Sequence, residues 1–134
     1  MRWRRSAADD GAAVVDFVLV SLVLVPLVLG LVQVALVLHV RNTLTAAATE
    51  GARYAATVDR TPADGVARTR QQVAAAVADR FADEVSGALV TVDGVAAVEI
   101  TVHATVPALG LWGPGVSLDV AGHAVREVPV GATR

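Results

Sequence analysis

At 134 residues the chain has room for one modest domain with appendages. It is 54% apolar, with a mean hydropathy of +0.58, yet only 4% aromatic, so the apolar excess must be concentrated in one segment. A net charge of −2 without a basic stripe interleaved with aromatics argues against nucleic acid as a partner, and the absence of Cys excludes disulfides and thiolate metal sites.

Residues 1–11 read as a short leader carrying Arg2, Arg4 and Arg5. From Phe17 to Val40 run 24 residues without a charge, interrupted only by Ser21, Gln33 and His39. As a helix rising about 1.5 Å per residue, this segment reaches roughly 36 Å, enough to cross a hydrocarbon core of about 30 Å with some tilt. A buried helix of a soluble domain is usually shorter and has a polar face. A cleaved signal peptide fits poorly as well, because its apolar region runs only about 7–15 residues before a small-residue site. Arg41, Arg53 and Arg60 follow the span, so the charge bias across it is nearly balanced. The basic leader still favours an anchor with its N-terminus in the cytoplasm. Pro26, Gly30 and Gln33 share one stripe of the helix, the small and polar kind of stripe that helices in lipid use for packing. Beyond the span, "TLTAAATEGARYAATV" keeps helical composition; Gly51 weakens it locally, and Glu50 and Arg53 have the spacing of a weak ion pair. One continuous helix is expected from about Ala12 to Thr57, with residues 12–58 forming span and stem. The narrow, alanine-lined stem suits side-by-side packing of subunits.

Residues 59–134 are expected to form a small extracytoplasmic α+β domain. Thr61-Pro62 reads as the cap and first position of a helix. Val66, Val73, Val77, Phe81 and Val85 then recur at helical spacing, while Arg68, Arg70, Asp79, Arg80, Asp83 and Glu84 fall mostly off that stripe as solvated surface. Ser86-Gly87 is expected to close this helix. Strict alternation follows at 96–106 and again at 116–125, with Ala88–Val92 as a first, shorter strand before Asp93-Gly94. A two-residue turn there would put Val90 on the wet face. A bulged three-residue turn, Val92-Asp93-Gly94, would pair Val90 with Ala96 and keep the apolar face whole, so the bulged turn is expected. The fold class is α+β: a long membrane helix and stem, then an amphipathic helix on a three-stranded antiparallel meander. So small a core without disulfides is thin, and partners in an assembly would supplement it.

Chemistry is sparse. His39 sits at the outer end of the span as an interfacial residue. If Val106 pairs with Val116, His103 faces Asp119 and His123 faces Glu99, giving weak exposed cross-strand pairs and no third metal ligand. No nucleophile with its base, phosphate loop or carboxylate pair is readable, so neither an enzyme nor a cofactor nor a small-molecule substrate is expected. The loop "PALGLWGPG" (107–115) exposes Leu109, Leu111 and Trp112 between prolines and glycines. Trp112 either folds back to cap the core or makes a contact with another subunit or the membrane surface.

Two segments carry a resemblance. "GAAVVDF" places Gly11 five residues before an acid that is followed by an aromatic and a membrane helix, and it looks like a type IV prepilin processing site. "HVRNTLTAAATEGARYAA" (39–56), with Asn42, Glu50, Gly51, Arg53 and Tyr54, resembles the second half of the TadE-like family of minor pseudopilins of tight-adherence (Flp-type) pilus systems. The likeness covers residues 11–56 and includes Pro26 and Gly30. It implies cleavage between Gly11 and Ala12 by a membrane-embedded prepilin peptidase, leaving Asp16 as the fifth residue of the mature chain, next to Phe17. In the family that acid is usually Glu, thought to pair with the N-terminal amine of a neighbouring subunit; Gln33 likewise stands where relatives often carry an acid. The expected partners are the membrane, the peptidase, and other pilins, pseudopilins and pilus assembly proteins. The alternatives are a membrane-tethered binding module outside any filament and an accessory factor of a secretion system.

Overall fold

The computed structural model describes residues 7–76, 82–108 and 114–127. Helix α1 spans Ala7–Ala56 and passes through Pro26 without interruption, and α2 spans Pro62–Ala76. Three strands follow: β1 (Ala82–Val92), β2 (Val95–Val106) and β3 (Val116–Val125), antiparallel in the order β1-β2-β3. The expected α+β class and meander are therefore the observed ones.

The stem is not a free rod. Val40, Leu44, Ala47, Ala48, Ala52, Ala55 and Ala56 of α1 are all buried, packed with Val98, Ile100, Val102 and Val106 of β2 and with Leu118 and Val120 of β3. The alanine face expected to serve packing between subunits thus covers the chain's own sheet. Small side chains let the backbones close in: a Cβ at Gly122 would overlap the main chain of Ala48 and Thr49. At its far end β3 is tied back to α1, where the Glu127 amide donates to the Ala56 carbonyl at 2.9 Å.

Helix α2 starts as expected. Thr61 is the cap: its amide and hydroxyl donate to Asp64 Oδ2 at 2.8 and 2.9 Å, and the Asp64 amide returns to Thr61 Oγ1 at 3.4 Å. The Thr61 amide, with its hydroxyl second, holds the Asp64 carboxyl below the usual carboxylate range. Gly65, Thr69 and Val73 form the buried face, with Val66 partly buried beside them.

Two boundaries differ from expectation. The second helix does not run to Val85. Strand β1 already begins at Ala82 and pairs Val85 with Val102 and Gly87 with Ile100. Val85 is apolar at a position that serves either periodicity, which hid the change. The twelve residues of β2 require a partner of similar length, because a strand starting at Ala88 would leave the backbone of residues 100–104 unpaired on that side. Gly87 is no helix stop; it is the strand position on which α2 sits, where a Cβ would lie 2.8 Å from Ile100 Cδ1 and 2.9 Å from Val66 Cγ2. The hairpin also uses two residues, not three. Val92 pairs with Val95 and Val90 with Ala97, and Asp93 and Gly94 have φ of 51° and 81°. Both central residues are left-handed, as a type I′ turn requires, and Asp-Gly meets that demand without a bulge. Val90 accordingly lies on the outer face. That face is not uniformly wet, because Val90, Ala97 and Val125 are cross-strand neighbours there and Ala97 is buried.

Candidate functional site

Among the described residues nothing covers the lower half of α1. Phe17 is 72% exposed, and the large apolar residues from Val14 to Val32 are all exposed. Among the described residues this is the one helix long and apolar enough to cross a membrane. Gly11, Ala12, Asp16 and Phe17 lie near its start, all exposed and all within helical backbone. Any enzyme cutting at Gly11-Ala12 must unwind the first turns, and Gly11 makes that easier by about 1 kcal/mol relative to Ala.

The stripe Pro26, Gly30, Gln33 runs straight into the face that the outer domain occupies, since Val37, Val40 and Leu44 continue it at three- and four-residue steps. Pro26 is exposed, and a Cβ at Gly30 would meet nothing within 4 Å. Gln33 is half-buried, and its Nε2 donates to the Pro107 carbonyl at 3.5 Å. That contact between span and sheet is not visible in the sequence pattern. The signal that marks it is one amide side chain placed where the uncovered apolar run gives way to covered helix.

The stem residues have separate tasks. At Gly51 α1 and α2 come close: a Cβ there would overlap Thr69 Oγ1 and the Gly65 carbonyl. Thr69, fully buried, donates its hydroxyl to the Ala47 carbonyl at 3.3 Å, which satisfies it inside the contact. Tyr54 is half-buried beneath the Arg60 guanidinium, 4.6 Å from the ring centroid. Asn42 lines an open groove with Ala46, Gln72 and Ala75. Glu50 and Arg53 are exposed and form no ion pair with one another. Leu109, Leu111 and Trp112 lie outside the described residues, as do Val77 and Phe81 of the expected helical stripe.

On the outer sheet face the expected register holds: Val106 pairs with Val116, His103 with Asp119 and Glu99 with His123. The side chains meet at 2.5 Å in both pairs, His103 Nδ1 with Asp119 Oδ1 and His123 Nε2 with Glu99 Oε2. Among the described residues no group of three or more His, Asp or Glu side chains could hold a metal ion.

An apolar helix left bare by the described residues, continuing into a small α+β domain, fits a single-pass membrane anchor. Residues 11–53, about a third of the chain, match the family model described as TadE-like protein. The match opens on Gly11 and closes on Arg53, taking in the uncovered helix and most of the stem. No curated protein and no solved structure matches the chain.

Proposed function

We propose that this chain is a TadE-like minor pseudopilin, a non-enzymatic, membrane-anchored component of a tight-adherence (Flp-type) pilus. Its N-terminus lies in the cytoplasm and its α+β domain outside. The observation that carries the reading is the TadE-like match, which coincides with the uncovered helix and the Gly11–Phe17 segment. In this reading a prepilin peptidase cuts between Gly11 and Ala12, and the new amine and the Asp16 carboxylate come to lie near the membrane edge. An unpaired charge there is costly, and pairing between adjacent helices offsets that cost while selecting a register.

The mass of the protein extracted from membranes of cells holding the peptidase tests the processing step. The expected mass corresponds to a chain beginning at Ala12, and an intact N-terminus would sink the claim. Assembly is tested separately, by co-purification with a pilin-like protein and by loss of pili when the gene is deleted.

A further inference from the structure

We propose that the base of the outer domain, where β2 ends and β3 begins, rests in the headgroup layer of the bilayer that α1 crosses. The inference builds on the reading of α1 as a membrane span and adds where the span stops and what the domain touches.

Gln33 is bonded to Pro107 at the end of β2, and Leu36 and Val37 already pack against the core. The uncovered apolar run therefore ends near residue 36, not at Val40. From Asp16 to Leu36 the helix rises roughly 30 Å at about 1.5 Å per residue, equal to the hydrocarbon thickness of about 30 Å. With Asp16 at one edge of the apolar layer, no length of helix remains to hold the domain away from the other edge.

Residues 104–108 and 114–118, where β2 ends and β3 begins, contain no ionisable side chain, and Val116 among them is 44% exposed; at the same end of the sheet β1 adds one exposed carboxylate, Glu84, opposite His103. The opposite end of the domain carries Asp59, Arg60, Asp93, Arg126 and Glu127. The free face of α1 changes in the same direction: Leu38 is 52% exposed, and His39, Arg41 and Asn42 follow it, also exposed. Arg41, the first full charge after Asp16, stands about 8 Å beyond Leu36, at the depth of lipid phosphates. The uncharged join of β2 and β3, continuous with an apolar helix, fits a lipid surface, while the charged far end fits water.

The chain has no cysteine, so single substitutions can be spin-labelled in the full-length protein. Ser117→Cys reports the base, Asp93→Cys the far hairpin and Val23→Cys the middle of the span. Each is placed at one chain per nanodisc of phosphatidylcholine and phosphatidylglycerol, and accessibility to oxygen and to a water-soluble nickel chelate is measured. The expected result is several-fold lower nickel accessibility at Ser117→Cys than at Asp93→Cys, with Val23→Cys in the hydrocarbon. A base label as open to nickel as the hairpin label, with Val23→Cys still in hydrocarbon, overturns the seating but leaves the span intact. Protection of Ser117→Cys only at several chains per disc also overturns it, and assigns the base to a second copy. A Val23→Cys label in water removes the span itself and the proposal with it.

Discussion

Gly30 and Gly51 stand in the same helix with opposite surroundings, and their replacement by alanine separates packing from propensity. A Cβ at Gly30 meets open space, whereas one at Gly51 collides with Thr69 and the backbone of Gly65. Gly51→Ala is expected to destabilise the outer domain by about 1–3 kcal/mol, the usual cost of overpacking, while Gly30→Ala changes it by less than about 1 kcal/mol. Thermal unfolding in mild detergent, followed by circular dichroism, checks both. Asp16 is a residue-scale question of another kind. The proposed role needs a negative charge at the membrane edge, not a particular chain length. Asp16→Asn should therefore reduce co-purification with pilin-like partners, and Asp16→Glu should preserve it. Equal recovery of both variants would remove the charge from the mechanism.

At the scale of elements, α2 is held at its start by the reciprocal Thr61–Asp64 bonds. Thr61→Ala should cost about 1 kcal/mol, the ordinary loss for a helix cap. The folded pKa of Asp64 is lowered, so its contribution is fully present above the unfolded carboxylate value of about 3.9 and is lost as pH falls through the folded value. Asp64→Asn should flatten the acid limb of the stability–pH curve and leave the neutral region's slope unchanged, as denaturant titrations at successive pH values would show. The elements themselves are mostly legible in the sequence because each has its own period. The charge-free run, Thr61-Pro62 and the alternation over 96–106 and 116–125 specify type, order and even the register that joins His103 to Asp119. The misread boundaries are those where two physical demands compete. Val85 suits a helix stripe and a strand face equally, and at Asp93-Gly94 the turn's left-handed geometry outweighs the burial of Val90. The candidate site from Gly11 to Phe17 is proposed from a local pattern in the sequence. The meeting of Gln33 with Pro107 is illegible there, because a contact across 74 residues leaves no periodic trace.

At the scale of the whole molecule, the span and the outer domain share one helix, and the core does not divide where the helix ends. Val40, Leu44, Ala48 and Ala52 of α1 are each at most 1% exposed, and they fill the space above β2 and β3. Removing them would leave Val98, Ile100, Val102 and Val106 facing water on one side of a three-stranded sheet, with only α2 for cover. Burial of a single such side chain contributes about 1.5–3 kcal/mol, and domains of this size have about 5–15 kcal/mol in total. A fragment beginning at residue 59 should therefore be unfolded or aggregated. One beginning at Gln33 keeps every buried residue of α1 and its bond to Pro107, and it discards most of the uncovered apolar run. That fragment should be recovered without detergent as a folded monomer with a cooperative melt. Gel filtration and amide hydrogen exchange compare the two directly. Protected amides in the shorter fragment would mean that the sheet and α2 suffice, and that the stem is an accessory to the fold instead of part of its core.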